Sequence, residues 1–172
     1  MTILSKALSA IFRSGVLNGV VFNAPARYLY DRDGTCYMRR WHIIREGTFA
    51  SRVLQRLTGY ASIRLHHLLR EDHDREPHNH PFNYRTFVLD GYYTEAYRKR
   101  QGKDVLRDVL AGETATGNAE VFHRITEVAA GGVWTLFCMT PNTDAWGFLS
   151  KGKYVPSAKY LARNGFDATN PR

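Results

Sequence analysis

From Ala61 onward the chain is divided into short apolar runs by closely spaced turn residues. Asp90-Gly91, Gln101-Gly102, Gly112, Gly117-Asn118, Gly131-Gly132 and Pro141-Asn142 leave room only for strands between them. Strands are predicted near residues 62–69, 78–89, 92–98, 105–110, 120–125, 133–139 and 145–149. Many short strands with turns between them are the signature of an all-β fold.

Before Ala61 the pattern is mixed. Ile3, Leu4, Ala7, Leu8, Ile11 and Phe12 recur at helical spacing, and the apolar character continues to Phe22 past Gly15 and Gly19. A short amphipathic helix is predicted here, packed on the barrel or against a second subunit. Asn23 to Arg32 is a connector and Asp31-Arg-Asp-Gly34 a turn. Residues 36–44 read as a strand with Tyr37, Arg39, Trp41 and Ile43 on one face. Residues 45–59 read as a short helix or irregular crossing that Gly59 ends. The resulting division is a helix and connector over 1–35, a β-barrel over 36–160 and a loose tail over 161–172.

The 172 residues suit one domain with an ordinary core, and 44% hydrophobic and 13% aromatic content excludes a disordered chain. The net charge of +8 would permit an acidic partner, but no long Lys/Arg block is present. The densest cluster, Arg98-Lys99-Arg100 with Lys103, reads as a loop between strands, so nucleic acid is not the expected partner. Cys36 and Cys138 lack metal-type spacing, which removes a cysteine zinc site and fits a reduced, cytoplasmic protein. No apolar run approaches the roughly 20 residues of a membrane span.

The chemistry concentrates in Pro77-His-Asn-His-Pro81. In extended chain His78 and His80 point the same way, which makes half of a metal site. About forty residues on, Val121-Phe-His-Arg-Ile125 is a strand carrying one histidine, His123. Arg64 and Arg75, with Arg70 and Arg124, flank this region and would suit an anionic ligand by forked hydrogen bonding. The competing account for them is salt bridging to Glu71, Asp72, Asp74 and Glu76.

These blocks resemble the cupin superfamily. His78-X-His80, three residues, Tyr84, six residues and Gly91 reproduce the spacing of its first motif, and His123 stands where the second supplies one histidine. The chain departs from the pattern in two places. Tyr84 replaces the usual glutamate, and Thr114-Ala-Thr-Gly117 stands where a Pro-X-Gly segment belongs. Arg39-Arg-Trp-His-Ile-Ile44, Leu65-His-His-Leu-Leu-Arg70, Val133-Trp-Thr-Leu-Phe137 and Trp146-Gly-Phe148 extend the likeness to small cupin-like proteins of tailed bacteriophages.

The resemblance implies a cupin-type jelly roll, a double-stranded β-helix barrel, behind a short N-terminal helical arm. It implies a metal held by His78, His80 and His123, with Fe, Zn, Mn or Ni all compatible. Tyr84 would ligate as phenolate, hydrogen-bond a ligand or pack inside the barrel, and Glu76 or Glu95 would serve as a fourth ligand. The expected role is binding of a small polar or anionic molecule, with oxygenase, isomerase or hydrolase chemistry, in a homodimer. The alternative is a ligand-binding or assembly module without a catalytic metal.

Overall fold

A computed structural model describes residues 3–15, 27–30, 34–72, 76–143 and 145–164. Strands β1 (Arg27–Tyr30), β2 (Cys36–Ile44), β3 (Ser62–Leu68), β9 (Val133–Met139), β4 (Tyr84–Asp90) and β7 (Thr114–Gly117) form one six-stranded sheet in that spatial order. The facing layer holds β6 (Val105–Leu110), β5 (Tyr92–Lys99) and β8 (Val121–Val128), together with the hairpin β10 (Gly147–Ser150) and β11 (Lys153–Pro156). Among the described residues every strand pair is antiparallel. The architecture is the cupin-type β-barrel with a helix at its N-terminus.

One apolar cluster, including Met38, Leu68, Val88 and Val133 from the first sheet and Tyr93, Val109 and Ile125 from the second, closes the layers against each other. A second cluster lies outside the six-stranded sheet. There the helix α1 (Ile3–Arg13) sets Leu8 and Phe12 against Trp41, Leu65, Trp134 and Leu136. Ser9 fixes the docking by donating its hydroxyl to the Leu89 carbonyl at 2.7 Å. The helical arm therefore packs on the barrel over residues 3–13, and the rest of the predicted helix, residues 16–22, lies outside the described residues.

The segment after β2 is a helix, α2 (Phe49–Thr58). Thr48 caps it by accepting the Ser51 amide, and Gly59 ends it at φ 82°, a conformation open to glycine at no steric cost. Gly91 turns β4 into β5 at φ 78°, and a Cβ there would come within 2.7 Å of the Gly132 carbonyl.

The first sheet includes β1, which pairs with β2 through Arg27 to Tyr30, ahead of residue 36. Of the expected tail, residues 161–163 belong to a helix and residues 165–172 lie outside the described residues. Helix α3 (Ser157–Arg163) buries Tyr160 and Leu161, and Tyr160 stacks on Phe148 with ring centres 3.8 Å apart. The apolar anchor is the small cluster of Phe148, Tyr160 and Leu161, too short a signal to show as periodicity. Among the described residues no helix is long and apolar enough to cross a membrane.

Both cysteines are free thiols. Burial pushes the Cys138 thiol up to about 11, against a small opposing effect of Arg85, so at pH 8 only about one molecule in a thousand carries the reactive thiolate. Labelling of the native protein at pH 8 is expected to stop at Cys36, with the second thiol appearing only on unfolding. Two equivalents reacting at one rate without denaturant would contradict this packing.

Candidate metal centre

The Pro77–Pro81 segment is a short extended piece inserted between β8 and β10. The His78 amide donates to the His123 carbonyl at 2.9 Å, and the His123 amide donates back to His78 at 2.8 Å. On the other edge the Asn79 amide donates to Gly147, and the Leu149 amide donates to Pro77. Prolines suit both ends, since their carbonyls accept from Leu149 and Thr143 and no amide is required of them. The Asn79 side chain points the other way and bridges the Ala119 carbonyl and the Gly147 amide.

This pairing puts His78 directly opposite His123, and strand alternation returns His80 to the same face. One ring nitrogen from each of the three lies within 4.8 Å of the others. Nε2 of His80 and Nε2 of His123 are 2.9 Å apart. Ligand nitrogens about 2.0–2.1 Å from a shared ion stand roughly 2.9–3.4 Å apart for angles between 90° and tetrahedral, so the His80–His123 spacing fits two ligands of one ion.

His123 is oriented from behind. Its Nδ1 donates to Oε2 of Glu95 at 2.8 Å, and Oε1 of Glu95 accepts from Nε of Arg107 at 2.6 Å. That bond places a proton on Nδ1 and turns Nε2 toward His80, the carboxylate–imidazole arrangement that tunes metal ligands. Glu95 is 1% exposed. Burial alone would raise its pKa, but the hydrogen bond and charge of His123, then Arg107, overcome this and hold the carboxyl below its usual range. Burial, reinforced by His123, His78, Arg40 and Arg64, keeps His80 well below the ordinary imidazole value and so in its neutral form.

The three histidines open on a cavity of about 370 Å3 between the two sheets, a volume suited to a small molecule. Its far wall is the inward row of the six-stranded sheet, where Arg40, His66 and Thr135 stand side by side on β2, β3 and β9.

The predicted site residues distribute unevenly around this geometry. Glu95 stands behind His123 with both oxygens engaged. Glu76 does not line the cavity; its amide donates to the Tyr160 hydroxyl, and its carboxylate accepts from the Ser150 hydroxyl. Arg64 lines the cavity, and Arg75 lies outside the described residues. Tyr84 packs inside the barrel, its ring 5.0 Å from Phe137 and 5.1 Å from His80. Burial, then the charge of Glu95, pushes its hydroxyl far above the usual value against the pull of Arg107, so it stands there as a neutral phenol. Phe137, Trp146 and Phe148 all line the cavity, whereas Trp134 lies outside under α1.

Gly117 leaves the space that Tyr84 fills. A Cβ at this position would sit 2.5 Å from the tyrosine ring and hydroxyl. Gly117→Ala is therefore expected to destabilise the fold by about 1–3 kcal/mol through overpacking, read as a lowered Tm. An unchanged Tm would mean that the ring has somewhere else to go.

No family model matches the chain, and no curated protein matches it in sequence. Solved structures do. A DMSP lyase superposes with a TM-score of 0.52 at 14% identity, covering 81% of this chain and 69% of that one. An oxalate decarboxylase of Lactobacillus farciminis, solved as a formate complex, gives 0.51 at 13% identity over 80% of this chain and 35% of that one. A Bacillus subtilis oxalate decarboxylase mutant gives 0.51 at 15% over 85% and 36%. The chain thus spans about a third of the length of these decarboxylases. At such identities the likeness establishes the cupin-type barrel and nothing finer.

Proposed function

We propose that His78, His80 and His123 hold one divalent transition-metal ion, and that the cavity before it takes a small polar or anionic molecule. The observation that carries this reading is the convergence of three imidazole nitrogens within 4.8 Å, the central ring braced by Glu95 and Arg107. A bound ion would act as a Lewis acid or oxygen-binding centre with positions left open to a ligand. The chain's own residues orient His123, shield the centre with Tyr84, Phe137 and Phe148, and admit ligand from the cavity. The two free thiols support a reduced, cytoplasmic setting. Exposed Phe49, Val53 and Leu57 along α2 support the homodimer.

The test is elemental analysis of the protein after gel filtration, for Fe, Zn, Mn and Ni. One equivalent per chain is expected. A preparation that neither carries nor takes up any of these ions would overturn the proposal.

A further inference from the structure

Arg40 is a charged side chain in a setting built for something absent from the chain itself. It is 8% exposed and sits on the cavity wall. Its Nε donates to Nε2 of His66 at 3.1 Å, and its Nη2 reaches only the Met38 sulfur at 3.7 Å. Among the described residues no hydrogen bond uses Nη1, and no carboxylate pairs with the group. Arg64, one step along the same face of the sheet, has a buried Nε without a hydrogen-bond partner among the described residues. Glu46 shares the cavity and acts on Arg64 through its charge, yet forms no ion pair with it. Burial, then Arg64, against the opposing Tyr37, then Arg27, pulls the Arg40 pKa to about 9, which still leaves it charged at neutral pH.

A buried guanidinium without an anion is costly, and removing its charge is ordinarily neutral or stabilising. Here the unused edge and the missing charge lie in the cavity that the three histidines also face. We propose that Arg40, supported by Arg64, is the anchor for a carboxylate on the molecule that enters this cavity. The claim rests on the reading of the cavity as a ligand site and names the class of ligand.

The planar fork of one guanidinium edge matches a carboxylate. Phosphate is commonly held by converging backbone amides or a helix N-terminus. The walls around Arg40 are instead strand faces whose amides are committed to the sheet. His66 holds the guanidinium in place. It accepts from Nε, and burial with the nearby Arg40 and Arg64 keeps its ring neutral. Phe137 stacks on that ring at 5.1 Å and continues the wall toward His80. A molecule with a carboxylate at one end would thus lie with its other end before the histidines.

The experiment is calorimetric titration of malonate, its neutral diamide and inorganic phosphate into the full chain, after chelator treatment and again after loading with Mn(II). Wild type, Arg40→Met and Arg64→Gln are compared. The expected result is binding of malonate in preference to the other two. Arg40→Met should weaken it on the order of ten- to a hundredfold. Its metal content should be unchanged and its Tm equal to or above wild type. Arg64→Gln should weaken binding by a smaller factor. Malonate affinity within twofold of wild type in Arg40→Met would overturn the proposal. So would failure of that variant to fold, equal binding of the diamide, preference for phosphate, or no binding of malonate by wild type. Arg40-dependent malonate binding in a chain that takes up no metal would remove the metal reading and leave this one standing. Metal uptake with Arg40-independent malonate binding would do the reverse.

Discussion

Replacing His123 by alanine is expected to cost the protein its metal while leaving a folded barrel. The strand that carries it is held by backbone pairing to His78 on one side and to β5 on the other, and alanine keeps both ladders. Structural zinc sites bind with about 10–16 kcal/mol shared among four ligands. One ligand is therefore worth roughly 2.5–4 kcal/mol, or about 60- to 700-fold in affinity. The loss falls on the best-oriented ligand, so competition with a chelator should show at least that factor. Far-ultraviolet dichroism should remain that of the wild type. Retention of a full equivalent of metal by a folded His123→Ala protein would contradict the proposed ligand set. His78→Ala removes a ring from the same face and should act in the same direction.

The second large effect is expected at Glu95, which acts through His123. Glu95→Gln keeps the shape and can still accept from Nδ1 of His123. Its amide nitrogen must then face Arg107, donor against donor, where the carboxylate had accepted at 2.6 Å. The imidazole also loses the negative charge that makes its other nitrogen a better electron donor. Metal affinity should fall about 10- to 100-fold, the range found when such supporting carboxylates are removed. Stability should fall by about 1–3 kcal/mol, because a buried polar pair is left mismatched. Arg107 is partly exposed, which puts the lower half of that range first. Chelator competition and thermal unfolding of the metal-free protein separate the two effects. Unchanged metal affinity would mean that Glu95 supports the sheet and not the imidazole.

Much of the barrel was readable because its physics is local. Closely spaced turn residues located β3, β5, β6, β8 and β9 within a few residues, while the strand expected from 78 begins only at Tyr84, and Asp90-Gly91 and Gly59 ended their elements as turn and cap. The histidine pair was legible for the same reason, since residues two apart in extended chain share a face. What depended on register was not. Glu95 reaches His123 only because β5 meets β8 with Tyr97 opposite His123 and Glu95 opposite Ile125, a diagonal that strand pairing alone decides. The short partners β7 and β11, four residues each, are too brief to show a period.

The wall bearing Arg40 and His66 was missed for a different reason. On β3 the face with Leu65 and His67 looks like the interior, and on β2 so does the face with Trp41 and Ile43. That face is covered in part, but by α1 from outside. The opposite row, Met38, Arg40, Leu68, His66 and Arg64, lines the cavity. A helix laid on a sheet gives both faces apolar residues, and alternation no longer says which one is the lumen.

The backbone of His78 is clasped between a strand ending at Val128 and one that begins at Gly147. A chain emerging from the ribosome could therefore present the histidine pair early but could not align it until nearly the whole barrel had been synthesised. Capture of an ion would then be among the last events of maturation, and a truncated or half-made copy would be spared from competing for scarce metal.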